Sequence, residues 1–302
     1  MQEEAIILTS DKIDAAKWDA CVNKHKGLIY STYFFLNTIT DNWKGIIINN
    51  YDAVMALPYR RKYGITYLYT PTFAQQLGLV GNYHEKDFSN AMQMAKSFTK
   101  YGNYFLNHQN INIEHLHSFT LRDNYIIDLR EGYHKIYSAY STNFKRILKK
   151  SNQLLYLPSE NIDSCMQLHK TIIQKKNVHI KNKDYSKFKT ICETYKKTNQ
   201  CIVRIVKNEN DEILSAAILL KDNHRLYNII NVTTHQGKLQ HANHFLMDHM
   251  IQEFASCNLL LDLEGSEIPG VKEFYQKMGA YNQPYYHWHF NYLKFPFNLF
   301  KH

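Results

Sequence analysis

The sequence predicts a mixed α/β protein, with mixed α+β sheets, built of two similar units. Three observations carry that reading. The 302 residues suit two domains of about 150 each. From residue 201 to 293 the pattern runs β-β-β-α-β-α-β. The first half follows the same theme of helices, a strand meander, then helix and strand. No residue-level repeat accompanies this, so the expectation rests on element order. The predicted units are 1–135 and 136–302.

The elements follow in order. "KIDAAKWDACVNKH" (12–25) and "TYFFLNTITDNW" (32–43) read as helices. "GIIIN", "DAVMALPYRRKYG" and "ITYLYTP" (45–71) read as strands. "KDFSNAMQMAKSFTKYG" (86–102) is helical, with strands near 103–107 and 123–129. The segment 132–153 predicts one long amphipathic helix near the junction. Ile136, Tyr140, Phe144, Ile147 and Leu148 form its apolar side, and Lys145, Arg146, Lys149 and Lys150 the other. Two further helices begin at Asn161 and Asp184, each with a capping residue.

"CIVRIVKN" and "EILSAAILLKDN" flank the turn "ENDE", and "RLYNIINVT" completes a meander. In the helix 237–256, Leu239, Ala242, Leu246, Met250 and Phe254 recur at helical spacing. "NLLLDLEG" is the fourth strand. The helix before it makes a crossover, so this strand should lie parallel to the third. A short helix (270–279) and the strand "YYHWHFNYL" close the unit.

Composition narrows the function classes. At 44% hydrophobic and 21% charged, the chain is of ordinary globular type. The net charge of +9 favours an anionic partner. Five cysteines without CxxC spacing suggest a reducing compartment and no disulfide frame. "MQEEAIILTSDK" does not read as a signal peptide, and no apolar run reaches the ~18 residues of a membrane span. A cytoplasmic protein without an integral span is expected. The tail "YLKFPFNLFKH" should pack back on its own protein. "EHLH" (His115, His117) and "HWH" (His287, His289) each lack a third ligand, so no metal site is expected. Walker, G-x-S-x-G and dinucleotide fingerprints are absent.

Two stretches carry the chemistry. "NVTTHQGKLQHANHFLMDHM" joins the third strand to the following helix. "LDLEGSEIPGVKEFYQKMGA" is a strand ending in acids, a Gly-Ser turn and a short helix. Together with the element order they resemble the GNAT acyltransferase fold. The basic helix "YSTNFKRILKKSNQ", "LDLEGS" and "FYQKMGA" are similar to the FemABX-like branch, in which two GNAT-like units stand in tandem.

The resemblance implies an acyltransferase taking an acyl group from acyl-CoA to a small-molecule or peptide amine. Gln236, Gly237, Lys238, Gln240, Ala242 and Asn243 would then meet the donor pyrophosphate at a strand end and helix N-terminus. Tyr275 would protonate the departing thiolate. An aromatic on the stripe of Val271, Phe274 and Met278 also reads as core. Strand alternation puts Asp262 and Glu264 on one face, where a buried carboxylate can take the proton of the attacking amine. Glu264 is the first choice.

Cell-wall members of the branch use aminoacyl-tRNA to modify a peptidoglycan precursor, and have Lys where this chain has Tyr275. Lys145 and Arg146, with Lys149 and Lys150, would hold phosphates of an acceptor or of tRNA. Gln75 and Gln76, in a Pro- and Gly-bounded loop, would line an acceptor groove. A non-catalytic tandem binding module is the third reading.

Overall fold

The computed structural model describes residues 5–110, 119–151, 153–175, 180–265, 267, 269–295 and 298. His115, His117 and most of the C-terminal tail lie outside the described residues. The chain opens with β1 (Ala5–Thr9), α1 (Ala15–Lys24), α2 (Tyr33–Ile39), β2 (Asn42–Ile48), β3 (Ala53–Lys62) and β4 (Ile65–Tyr69). Next come β5 (Leu79–Gly81), α3 (Glu85–Phe98), β6 (Tyr101–Phe105), β7 (Phe119–Arg122) and β8 (Tyr125–Asp128). Then follow α4 (Tyr133–Ser138), α5 (Thr142–Leu148), β9 (Leu155–Pro158), α6 (Ile162–Gln174) and α7 (Asn182–Lys196). The meander β10 (Cys201–Lys207), β11 (Ile213–Lys221), β12 (Arg225–Thr233) leads into α8 (His235–Leu239) and α9 (Ala242–Phe254). The chain closes with β13 (Leu260–Asp262), α10 (Pro269–Lys277), β14 (Tyr281–Asn282) and β15 (Tyr285–Asn291).

Two compact units result: Met1–Arg122 with Pro284–His302, and Asp123–Gln283. The first holds the sheet β1-β2-β3-β4-β6-β15-β7, with β5 beside β3; the second holds β14-β8-β13-β12-β11-β10-β9. The division therefore differs from a boundary at residue 135. β8 pairs with β13 and β14, so the second unit starts earlier. β15 pairs with β6 and β7, so the last strand joins the first unit's sheet. Alternation shows that these segments are strands. It does not say which sheet edge each will meet.

The first unit is cored by Trp18, Ile46, Tyr104 and Trp288, all fully buried. Trp18 donates to the carbonyl of Ser31 at 2.7 Å and lies edge-on to Trp43, ring centroids 5.1 Å apart. Such a side chain contributes both buried area and a satisfied polar tip. Gly45 permits this packing, because a Cβ there would stand 2.6 Å from the Trp18 ring. α1 starts where Asp14 accepts the N–H groups of Ala16 and Lys17.

In the second unit the predicted long helix is two short ones. Ser141 accepts the Phe144 N–H at 3.2 Å and so caps α5, while its own N–H donates to the Lys277 carbonyl. The Ser-Thr-Asn run competes for the backbone and breaks the helix despite its apolar stripe. Asn161 caps α6 as expected; α7 begins at Asn182, and Asp184 lies buried within its first turn. The predicted helix 237–256 is also divided, at His241, which has φ 56°. Phe144, Leu226, Leu246, Met250, Leu261, Leu263 and Met278 are core residues around this site. Each contributes roughly 1.5–3 kcal/mol of burial energy.

Candidate active site

The site is built on a parting of two strands. β12 and β13 are parallel, as the crossover helix predicts, but pair only over Arg225–Tyr227 against Leu260–Asp262. β12 then runs on to Thr233, whereas β13 stops. Between the pairs Ile218–Ile230 and Leu220–Tyr227, β11 advances two residues and β12 three. The extra residue is a bulge in β12 at Asn228–Ile229, where β13 leaves. A bulge bends its strand and re-aims side chains. Asn228 and Asn231 turn their amides toward Met247 of α9, with nitrogen–sulfur distances of 3.9 and 3.2 Å. Among the described residues, the Asn228 Oδ1 is buried without a partner.

The acidic turn lies at the other side of the parting. β13 ends at Asp262, and Glu264 has φ 54°, so strand alternation does not reach Glu264. The two acids have different surroundings. Asp262 is buried, with Oδ2 2.5 Å from Arg225 Nη1. Glu264 is half-buried and near enough to Tyr275 to affect its titration. An amine-deprotonating carboxylate must be reachable, and this favours Glu264 over Asp262.

Tyr275 belongs to the core and also touches this turn. It is 7% exposed, and its hydroxyl donates to the Leu263 carbonyl at 2.8 Å. Burial, then Glu264 and Asp262, pushes its pKa well above the usual phenol range. The proton is thus firmly held. Its transfer to a thiolate would require the hydroxyl to leave Leu263.

The segment between β12 and α9 is more ordered than an open phosphate loop. Thr234 caps α8 by accepting the Gly237 N–H at 2.9 Å. Gly237 is packed on β11: a Cβ would stand 2.2 Å from the Leu214 carbonyl oxygen. The Lys238 and Gln240 N–H groups donate to Thr234 and Gln236 carbonyls. What remains for a ligand is the start of α9. Among the described residues, His241 caps it without a side-chain hydrogen bond, and Asn243 Oδ1 is buried without a partner.

A cleft of about 470 Å³ opens beside this segment. Lys150, Ser151, Gln153, Asn208, Gln240 and His241 line it. Lys149 and Lys150 are exposed. Lys145 donates to the Ser138 carbonyl and lies over the Tyr137 ring, while Arg146 donates to Asn143. The basic run therefore separates into a locally engaged pair and an exposed pair, of which Lys150 lines the cleft. His244, next along α9, packs between Phe144, to which it is tilted, and Phe274, to which it is edge-on, each centroid 4.9 Å away. Burial, then His241 and Lys277, pulls its pKa down to about 4.

Gln75 and Gln76 lie in the first unit. Gln76 is fully buried, donates to Gln75 and accepts the His108 N–H. Its groups are engaged by the loop and by the His108 main chain. Sequence alone does not single out Arg225, Asn228 or His244. An Arg opening a strand as apolar as "RLYNIINV" was the available signal, since a charge there needs a buried partner. Among the described residues, no cluster of three or more His, Cys, Asp or Glu could hold a metal, and no helix is long and apolar enough to cross a membrane.

The parted parallel pair beside a helix N-terminus, within mixed sheets, is a GNAT-like arrangement, and the chain has a tandem GNAT-like fold of the FemX type. It matches the crystal structure of FemX with TM-score 0.65 at 12% identity, over 94% of this chain and 96% of that one. The C-terminal domain of a putative lysylphosphatidylglycerol synthetase from Agrobacterium fabrum matches with TM-score 0.57 at 10% identity, over 91% of each chain. L-PGS from Bacillus licheniformis matches with TM-score 0.53 at 11% identity, over 95% of each. No protein-family model and no curated protein matches the sequence.

Proposed function

We propose that the second unit is an acyltransferase centre that moves an acyl group from acyl-CoA to an amine. The observation that carries this reading is the parting of β12 from β13 at the Asn228 bulge. α8 and then α9 follow the end of β12, and the acidic turn follows β13. Among the described residues β13 pairs with β12 only as far as Tyr227, so a thioester arm could lie along the rest of β12 on that side. The Gln240–Asn243 segment and the cleft with Lys150 suit the phosphates of the donor.

The chemistry then needs few parts. Glu264 takes a proton from the acceptor amine, directly or through water. The amine nitrogen bonds to the thioester carbonyl carbon, the carbon–sulfur bond breaks, and the thiolate leaves and is protonated. Tyr275 is the candidate donor of that proton.

A second reading keeps the acyl transfer but takes aminoacyl-tRNA as donor, with a peptidoglycan precursor as acceptor. Lys150 at the cleft, with the exposed Lys149 next to it in sequence, favours it.

Thermal-shift melting separates the two. Acetyl-CoA, longer acyl-CoAs and a bulk aminoacyl-tRNA pool are the ligands. A donor present at ~100 times its dissociation constant contributes about 2.7 kcal/mol of stability. A shift with an acyl-CoA alone supports the first reading. A shift with the tRNA pool alone replaces it with the second.

A further inference from the structure

The turn after β13 is held in a conformation its residues would not choose freely. Glu264 has φ 54°, in the left-handed region that is costly for an ordinary L side chain. Hydrogen bonds converge on it from both sides. Asp262 Oδ1 accepts the Glu264 N–H at 3.2 Å. The Leu263 N–H donates to the Tyr125 carbonyl, and its carbonyl accepts from Tyr275. The Gly265 N–H donates to Asn124 Oδ1 at 3.4 Å.

These contacts close into a ring through a buried ion pair. Asp262 is fixed by Arg225 Nη1 at 2.5 Å, with side-chain exposures of 6% for Arg225 and 1% for Asp262. Arg225 Nη2 donates to Gln283 Oε1 at 2.9 Å. The Gln283 N–H donates to the carbonyl of Asn124, the residue whose side chain holds Gly265. Arg225, Asp262, Glu264, Gly265, Asn124 and Gln283 thus form one circuit. A buried ion pair is a poor device for stability alone, because an apolar pair of similar volume is often as stable. It is a good device for fixing one geometry, since both partners lose heavily if either moves.

We propose that Arg225 and Asp262 are positioning residues: their ion pair locks the 262–265 turn and holds Glu264 in its left-handed conformation for catalysis. This rests on the reading of Glu264 as the base. It removes Asp262 from the proton transfer and gives it a mechanical task.

The test is a four-corner stability cycle, read beside turnover of acetyl-CoA with an amine panel. Glu264→Gly is made in the wild type and in the paired variant Arg225→Met, Asp262→Leu. If the pair enforces strain, Gly relieves it in the wild type and raises Tm by roughly 2–4 °C. In the paired variant the turn has already relaxed, and the gain disappears. An equal gain in both backgrounds would overturn the proposal. Should the paired variant not fold, Asp262→Asn takes its place in the same cycle. In turnover, the paired variant should lose roughly 100-fold in kcat with KM for acetyl-CoA unchanged, as a displaced base does. Glu264→Gln is the control. If it loses activity and the paired variant keeps full kcat, the base reading stands and the positioning proposal falls. If Glu264→Gln keeps full activity, the base reading itself falls.

Discussion

The Tyr275 hydroxyl donates to the carbonyl of Leu263 at 2.8 Å, which ties α10 to the residue directly before Glu264. Tyr275→Phe deletes that bond and keeps the ring. Stability should fall by about 1 kcal/mol, the usual net worth of one hydrogen bond. If the hydroxyl also protonates the leaving thiolate, kcat should drop by roughly 100-fold or more. That loss should shrink with a donor whose leaving thiol is less basic. Melting curves and rates with both donors check this; an equal loss with both would mark Tyr275 as an anchor of the turn only.

Lys150 is expected to meet a phosphate in the cleft. Lys150→Gln should weaken CoA binding by roughly tenfold, the scale of one hydrogen bond to a charged group. Binding of pantetheine, which lacks the nucleotide, should be unchanged. Competition calorimetry with the two ligands measures the difference.

Gly237 should be a packing position. Gly237→Ala drives a methyl to 2.2 Å from the Leu214 carbonyl oxygen, a backbone atom with little freedom to move. The cost should be about 1–3 kcal/mol, typical of overpacking. Denaturant melts measure it directly. Unchanged stability would mean that α8 is loosely held.

His244 should make the second unit acid-sensitive. Its folded pKa, about 4, lies below the ordinary value of about 6.5. The neutral ring is therefore favoured in the fold. Its stabilising contribution is fully present above pH ~6.5 and is lost as pH falls toward about 4. Buried Asp248 acts with the opposite sign, because burial raises its pKa. His244→Phe should flatten the decline in Tm between those pH values and leave Asp248's opposite trend. A decline as steep as in the wild type would assign the acid sensitivity elsewhere.

Much of the fold was legible because local signals and burial agree. The β10–β12 meander, the parallel β12–β13 pair and the Asn161 cap all follow from patterns within a few residues. The breaks at Ser141 and His241 were not, although both stretches keep an apolar helical stripe. There a serine cap and a left-handed histidine override the periodicity. Strand partners separated by more than a hundred residues, such as β8 with β13 and β15 with β6, leave no local trace. The acidic turn was visible as "LDLEGS", but the unlike duties of Asp262 and Glu264 were hidden. They depend on Arg225, 37 residues earlier than Asp262.

On the proposed reading, an acyl-CoA donor lies along the parted edge of β12 and against the start of α9. Amide hydrogen exchange with and without saturating acetyl-CoA tests it by location. Bound acetyl-CoA should bring new protection to residues 228–233 and 240–243, with little change in β1–β3 of the first unit. Protection confined to other segments, or none at saturation, would contradict it.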